Sequence, residues 1–308
     1  MSDYGIPYMG SKAKIMPSIA MNFPSAENFY DLFGGGFSVT HYMMERCRNR
    51  YKQFHYNEIK SDVVGLIKRA IAGEFNYKVF KPEWISREEF FKRKNTDAYV
   101  RCVWSFGNNQ KGYLFNEDIE KIKRSMHQAV VFGEFDESMS KVFGLKRWNL
   151  ALNDIKKRRL FLKKCIRGRV GLQQLEHLER LQRLERLQQL EQLERLQRLQ
   201  QLEQLQQLEF YSDSYQNIPI KPDSIVYCDI PYKDTEGYLN KFNRSDFFDW
   251  AATRTFPVYI SEYLIEDSRF KLVYEVDKRS MLSPNKSVGN KSERLYWNGV
   301  TNLQSGVV

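Results

Sequence analysis

The chain contains a three-residue repeat in which leucine recurs at every third position from Leu172 to Leu208. Thirteen leucines keep this register, and the residues between them are almost all Gln, Glu and Arg, which favour helices. On an α-helix a spacing of three turns each leucine by about 60° relative to the last, so the apolar stripe winds around the helix. The repeat therefore predicts a mainly α-helical rod and argues against a heptad coiled coil. A 3₁₀-helix and a solenoid of short repeats are the alternatives.

The repeat also needs a surface that covers its leucines. Burying one leucine is worth about 1.5–3 kcal/mol, so thirteen of them will not remain in water. One partner face cannot cover a winding stripe, and we expect the rod to pack on the rest of the chain and on a second copy, which predicts self-association. Because the units are nearly identical, we also expect that removing whole units, from Leu175 to Glu203 for example, leaves the active site intact.

Outside the repeat, short apolar runs alternate with helical stretches. The runs typical of strands cover 27–31, 54–58, 224–229, 257–261 and 270–274, and the stretches typical of helices cover 38–48, 61–72 and 244–252. This alternation predicts an α/β domain with a mostly parallel sheet and helices on both faces. The segment 75–170 is richer in Lys, Arg and aromatic residues and predicts a separate helical module. The predicted organisation is a domain formed by 1–74 and 209–308, the module 75–170 and the insertion 171–208.

A glycine-rich turn, Asp31–Phe37, follows the first of the strand-like runs. Its glycines allow the backbone to approach a ligand at the carboxyl end of the strand. Glu58 ends the next strand, where a carboxylate commonly accepts hydrogen bonds from the two hydroxyls of a ribose. Together these residues predict a nucleotide-type pocket. A structural tight turn and a solvated carboxylate are the alternatives.

The segment Asp229-Ile230-Pro231-Tyr232 directly follows the apolar strand 225–228. Its proline fixes the backbone so that a carboxylate and an aromatic face point into one cleft. This pair suits an amine on a flat ring, because Asp229 and the Ile230 carbonyl can accept from the amine while Tyr232 stacks on the ring. A capping aspartate and a core tyrosine are the alternatives.

Positive charge indicates a polyanionic partner. The chain has 48 Lys and Arg against 38 Asp and Glu, a formal net charge of +10, and eight of the fourteen residues in 156–169 are Lys or Arg. The loop 104–111 combines aromatic and amide side chains with a lysine, which fits phosphate contacts together with contacts to bases. The predicted DNA contacts are Trp104, Asn108, Asn109, Lys111, Lys156, Lys157, Arg158 and Arg159. A solvated basic helix and core aromatic residues are the alternatives.

Six short motifs, in this order, resemble those of the Dam-type DNA adenine methyltransferases, the α group of amino-methyltransferases. They are Tyr8-Met9-Gly10-Ser11-Lys12, Asp31–Phe37, Asn57–Asp62, Phe210–Tyr215, Asp229–Tyr232 and Ser261-Glu262-Tyr263. The resemblance covers most of the chain outside the repeat, and the ordered series is far more specific than any single motif. Within the catalytic motif, Ile230 stands where the family has its first proline.

The resemblance implies a Rossmann-like S-adenosylmethionine-dependent methyltransferase fold with a target-recognition module and the leucine-repeat insertion. It implies methyl transfer to the amine of an adenine flipped out of double-stranded DNA. The implied cofactor-binding residues are Tyr8, Lys12, Asp31, Phe33, Gly34, Gly36, Glu58, Ser214 and Tyr215, and the implied catalytic residues are Asp229, Ile230, Pro231 and Tyr232. Methylation of cytosine N4 or of RNA adenine, and a non-catalytic assembly or nucleic-acid-binding protein, are the alternatives.

Composition excludes several other classes of protein. No stretch approaches the roughly 18 uninterrupted apolar residues of a membrane span, and the amino-terminal residues lack the pattern of a signal peptide. The four cysteines are scattered without a Cys-x-x-Cys pair, which argues against a disulfide framework and a zinc site, so no metal is expected. We therefore expect a cytoplasmic protein with free thiols, and the resemblance implies that it is encoded by a bacterium or a phage.

Overall fold

A computed structural model describes residues 4–170, 187–203, 205–231, 242–277 and 292–301. Two compact units divide the chain. The first, the sheet unit, comprises Met1–Gly5, Gly10–Gly65 and Leu202–Val308. The second, the helical unit, comprises Ile6–Met9 and Leu66–Gln201.

A seven-stranded sheet forms the centre of the sheet unit. Its strands are β1 (Asn28–Asp31), β2 (Gln53–Asn57), β3 (Leu208–Tyr211), β4 (Ser224–Cys228), β5 (Val258–Glu262), β6 (Lys271–Asp277) and β7 (Ser292–Trp297). The strand order is β3-β2-β1-β4-β5-β7-β6. The first five of these are parallel, and β7 runs antiparallel to both of its neighbours. The predicted α/β class with a mostly parallel sheet is confirmed, and β7 is a strand that the sequence analysis did not identify.

The helices of the described residues follow the predicted alternation in the sheet unit. They are α1 (Met16–Ala20), α2 (Ser38–Arg46), α3 (Ser61–Ile71), α4 (Arg87–Arg93), α5 (Ala98–Val103), α6 (Glu117–Phe132), α7 (Glu137–Phe143), α8 (Ile155–Val170), α9 (Gln188–Arg198) and α10 (Arg244–Ala252). Predicted helices at 38–48, 61–72 and 244–252 correspond to α2, α3 and α10. Asn243 caps α10 by accepting hydrogen bonds from the amides of Ser245 and Asp246.

Apolar side chains cover both faces of the central strands. Every residue of β1, β4 and β5 is buried, as expected for parallel strands that lie between helices. Tyr30, Val226 and Ile260 belong to one apolar cluster, into which α10 inserts Phe247. This packing fixes the strand ends whose side chains form the site described below.

The leucine repeat from Leu187 to Gln201 is a buried part of the helical unit. In α9 and the 3₁₀ turn that follows it (Leu199–Gln201), leucine side chains are at most 2% exposed at positions 187, 190, 193, 196 and 199. The polar residues between them contact other parts of the same unit: Gln189 the ring of His127, Gln192 the side chain of Asn108, and Gln197 the carbonyl of Phe75. The winding stripe is thus covered from several sides by the chain itself.

This placement corrects the expectation that Leu175–Glu203 is dispensable. The leucines from Leu187 to Leu199 fill the core of the helical unit, so their removal would leave that core without its central helix. The described leucines from 187 to 202 are all less than 10% exposed, which leaves little apolar surface there for a second copy. The copies from Leu172 to Leu184 lie outside the described residues.

Candidate active site

The glycine-rich turn after β1 is folded tightly against β2. The Gly34 amide donates to the carbonyl of Asn57 over 2.8 Å, and the Tyr56 hydroxyl donates to the carbonyl of Gly35 over 2.7 Å. A Cβ atom at Gly34 would lie 2.1 Å from the Tyr56 ring, so only glycine fits at that position. The turn therefore places backbone close to the end of β2.

Glu58 is held in a fixed orientation directly beyond β2. Its carboxylate accepts from the Gly35 amide over 3.0 Å and from the Lys60 amide over 3.1 Å. Burial raises the pKa of Glu58 above its usual value, although these backbone donors oppose the shift. The carboxylate keeps lone pairs that a ligand hydroxyl can use.

A cavity of about 440 Å³ opens beside this carboxylate. It is lined by Leu32, Phe33, Gly35, residues 57–60 and 213–216, Asp229, Pro231, Phe242, Asn243 and Asp246. Aromatic rings form one wall: the Phe33 centroid lies 5.4 Å from that of Tyr215 and 5.6 Å from that of Phe242. The volume is in the range of small-molecule sites, and an apolar aromatic wall opposite a few carboxylates suits a nucleoside with a polar tail.

Asp229 lies at the end of β4, on the rim of the same cavity. Its side chain is 18% exposed, and its Oδ1 atom lies 2.8 Å from Nζ of Lys12. The Lys12 ammonium also contacts Oε1 of Glu293 on β7, over 3.1 Å. Burial alone would lower the pKa of Lys12, but the two carboxylates outweigh it and raise that pKa above its usual value. The ammonium is therefore a permanent charge beneath Asp229.

Asp31 ends β1 and is completely buried. Its Oδ2 atom accepts from the Thr40 hydroxyl over 2.8 Å, whereas no described group donates to its Oδ1 atom. Burial raises the pKa of Asp31 to about 7, and the negative charge of Asp229 adds to the shift. An unpartnered buried acceptor at this strand end fits a donor group of a bound ligand.

Only some of the predicted cofactor-binding residues line the cavity. Phe33, Glu58, Ser214 and Tyr215 line the cavity, and Gly35 lines it where Gly34 and Gly36 were predicted. Asp31 and Lys12 are buried, and Lys12 contacts Asp229 and Glu293. Tyr8 belongs to the helical unit and is absent from the lining.

The catalytic motif is partly described. Asp229 and Pro231 line the cavity, and the Ile230 side chain is buried. Arg244 anchors the segment by donating to the Pro231 carbonyl over 2.9 Å and pairing with Glu262. Tyr232 lies outside the described residues.

Glu293 is a site residue that the sequence analysis missed. Glu293 and Leu295 lie two residues apart on β7, so they share one face of the strand, and both are buried. An acidic residue that shares a strand face with a leucine is the signal that could have identified it, because such a buried position requires a partner.

The structure corrects one predicted DNA contact in the loop 104–111, Trp104, and the other three stay predictions. Trp104 is fully buried and packs edge to face on Trp84 at 5.1 Å, so its ring is not available to DNA. Asn108 accepts from Gln192, and Asn109 shapes the loop by accepting from the amides of Lys111 and Gly112. Phe106, 61% exposed, is the aromatic residue that this loop presents to solvent.

The basic run on α8 divides into two kinds of residue. Lys156 and Lys157 are exposed. Arg158 donates to the carbonyls of Leu152 and Val130, and Arg159, 14% exposed, pairs with Glu191 and Glu194 of α9. Arg159 is therefore engaged with α9, and its role as a phosphate contact stays a prediction.

Two absences hold for the described ranges. No helix there combines the length and apolar content needed to cross a membrane. No cluster of three or more His, Cys, Asp or Glu suited to a metal ion occurs in those ranges either.

Comparison with known proteins identifies the family. Two solved structures of the rRNA methyltransferase aviRa from Streptomyces viridochromogenes, at 1.5 Å and 2.4 Å, each match with 10% identity and a TM-score of 0.34. The matches cover 96% and 92% of this chain and 87% and 83% of the other. No curated protein matches. The model of the D12 class N6 adenine-specific DNA methyltransferases matches residues 8–251. The chain belongs to this family and transfers a methyl group from S-adenosylmethionine to adenine N6 in DNA.

Proposed function

We propose that the cavity of the sheet unit is the methyl-transfer site. There Asp229 and the Ile230 carbonyl accept hydrogen bonds from the target amine. The observation that carries this proposal is that Asp229 and Glu58 lie on the wall of one cavity, beside an aromatic wall. Bound S-adenosylmethionine would supply an electrophilic methyl group. Glu58 would accept from its ribose hydroxyls, Phe33 and Tyr215 would contact its adenine ring, and Asp31 would accept from a donor of its polar tail.

Asp229 acts on an amine that is a poor nucleophile, because the nitrogen lone pair of adenine N6 is delocalised into the ring. Two acceptors of hydrogen bonds from the amine move its hydrogens out of the ring plane, so the nitrogen becomes tetrahedral and its lone pair is localised for attack on the methyl group. The ion pair with Lys12 keeps Asp229 in the anionic form that accepts. Tyr232 would stack on the target base, as the resemblance implies.

The helical unit is the proposed target-recognition module, and it includes the described copies of the leucine repeat from Leu187 to Leu199. Support comes from the exposed Lys156 and Lys157 and from Phe106, which stands in solvent on a loop with Lys111. A duplex adenine must leave its stack to be methylated, and an exposed aromatic ring can fill the gap it leaves. We assign this task to Phe106 in place of Trp104. The partner is double-stranded DNA, and the site of action is the cytoplasm.

A nucleoside analysis tests the function. Purified protein is incubated with labelled methyl donor and matched duplex DNA, single-stranded DNA and RNA, and the digests are separated. N6-methyladenine from duplex DNA is expected, and Asp229→Ala should abolish it. Methylated cytosine N4, or label in RNA only, would contradict the assignment.

A further inference from the structure

Three buried or half-buried charges from distant parts of the chain meet under the catalytic motif. Lys12 comes from the amino-terminal segment before α1, Asp229 from the end of β4 and Glu293 from β7. The Lys12 Nζ atom lies 2.8 Å from Oδ1 of Asp229 and 3.1 Å from Oε1 of Glu293. The side chains of Lys12 and Glu293 are each 1% exposed, whereas that of Asp229 is 18% exposed. One cation thus serves two carboxylates, and only one of the two reaches the cavity.

Stability alone is a weak reason for this arrangement. Desolvating three charges costs as much as their attraction returns, and apolar residues of similar size often replace such clusters without loss. A buried charged cluster next to a cleft is instead a frequent mark of a functional site. The second carboxylate is the informative part, because Glu293 contacts the same ammonium and so fixes Lys12 independently of Asp229.

We propose that Glu293 and Lys12 are positioning residues that pin Oδ1 of Asp229 and hold this carboxylate charged in the orientation that meets the target amine. The inference rests on the role of Asp229 proposed above. The Asp229 Oδ1 atom is buried against the ammonium. The carboxylate therefore cannot rotate freely, and its exposed side is directed to the cavity.

The surroundings of Asp229 make Lys12 necessary for its charge. Asp31 faces it from β1, and Tyr227 and Cys228 precede it on β4. Burial raises the pKa of both the Tyr227 and the Cys228 side chains, so these two groups are neutral at ordinary pH. Glu293 adds negative charge, which favours protonation of Asp229, and Asp31 does so only where it is ionised, above about pH 7. Lys12 supplies the opposing charge.

The pH profile of kcat distinguishes this role from a structural one. Lys12→Met removes the ammonium, so Asp229 should protonate more readily, and the acid limb should move up by about one pH unit. Turnover at neutral pH should fall by about 100-fold while cofactor affinity, measured by calorimetry, stays within a few-fold, because the Lys12 ammonium contacts Asp229 and Glu293 and does not line the cavity. Lys14→Met makes the same change at an exposed position of the same segment and should leave the profile unchanged.

Glu293→Gln provides a second, milder variant that keeps the size of the side chain. It removes one negative charge, so the acid limb should move to lower pH, opposite to the shift in Lys12→Met. The double variant should recover most of the acid-limb shift, because both charges are removed together. Equal loss of activity at every pH, in the Glu293→Gln and Lys12→Met variants alike, would overturn the proposal and assign the cluster to folding.

The Asp229→Ala variant distinguishes failure of the proposed function from failure of this inference. If Asp229→Ala retains near-normal turnover, Asp229 is not the acceptor and the proposed function fails with the inference. If Asp229→Ala is inactive but neither charge variant moves the acid limb, the inference alone is overturned. If Lys12→Met does not fold, the direction of the shift in Glu293→Gln decides the question.

Discussion

Among the described residues, two largely buried clusters, one in each unit, place a cation between two carboxylates. Lys12 in the sheet unit contacts Asp229 and Glu293 through one nitrogen. Arg159 in the helical unit contacts Glu191 over 3.1 Å and Glu194 over 2.8 Å through two nitrogens. The planar fork of arginine can bind two carboxylates at fixed angles, whereas a lysine ammonium acts as a point charge.

The two clusters have different surroundings, which indicates that they have different roles. Both acids that bind Arg159 lie on α9, within the repeat, and they are 12% and 18% exposed, so this cluster fastens one helix to another. In the Lys12 cluster only Asp229 borders a cavity, and its two partners are completely covered. The same charge pattern therefore serves packing in one unit and chemistry in the other.

The largest expected effect is on turnover in the cluster that borders the cavity. Asp229→Ala removes an acceptor that acts on the target amine, and methyl transfer should fall by about 10²–10⁴-fold, the usual range for a positioned acid or base. Cofactor affinity should remain within a few-fold. A steady-state assay combined with calorimetry measures both, and turnover close to that of the wild type would contradict the role of Asp229.

The helical unit should respond most to changes in its leucines. Leu193→Ala empties a fully buried position of α9 and should lower the free energy of unfolding by about 2–5 kcal/mol. Leu205→Ala is the matched control in the same repeat, because that leucine is 41% exposed and its loss should cost about 0.5 kcal/mol or less. Urea unfolding measures the two. Equal effects would show that the described repeat is not a core element.

The raised pKa of Asp31 should make the stability of the folded protein depend on pH. Its pKa is raised to about 7 in the folded protein, so between about pH 4 and pH 7 the folded state binds more protons than the unfolded state. Stability should therefore fall as the pH rises through this window, by on the order of a few kcal/mol at most. Asp31→Asn should flatten the fall. An unchanged slope in the variant would contradict the burial of an ionisable Asp31.

The smallest expected effect is on the salt dependence of DNA binding, where exposed lysines and a paired arginine of the helical unit should differ. Replacing Lys156 and Lys157 by alanine should make DNA binding less sensitive to salt, and the slope should decrease by about one for each phosphate that these lysines neutralise. Arg159→Ala should leave that slope unchanged while lowering stability, because its guanidinium is engaged with α9. Fluorescence anisotropy over a salt series provides the slopes. A flatter slope for Arg159→Ala would reverse the assignment.

The sequence predicted the sheet unit better than the helical unit for a physical reason. In a parallel sheet the carboxyl ends of neighbouring strands meet at one edge, so the convergence of Glu58 and Asp229 on one cavity followed from strand patterns alone. Glu293 was not found, because its strand β7 (Ser292–Trp297) begins with three polar residues and is not an apolar run, and because it runs antiparallel to its neighbours.

No comparable rule exists for the helical unit. Trp104 and Phe106 are two residues apart in one loop, yet one is fully buried and the other is exposed, and composition does not distinguish them. The winding of the leucine stripe predicts that no single face covers all thirteen leucines, and that prediction extends to copies outside the described residues. The described leucines are covered by other helices of the same chain. This depends on the long-range packing of α5, α6 and α8, which the repeat sequence alone does not determine.

The most direct measurement of the central claim is single-molecule sequencing of DNA from cells that express the protein, with Asp229→Ala as the paired sample. If Asp229 is the catalytic acceptor, DNA from cells with the wild-type chain contains N6-methyladenine at one defined sequence, and DNA from cells with the variant contains none. Methylation on cytosine, or N6-methyladenine that persists in the variant, would contradict this claim.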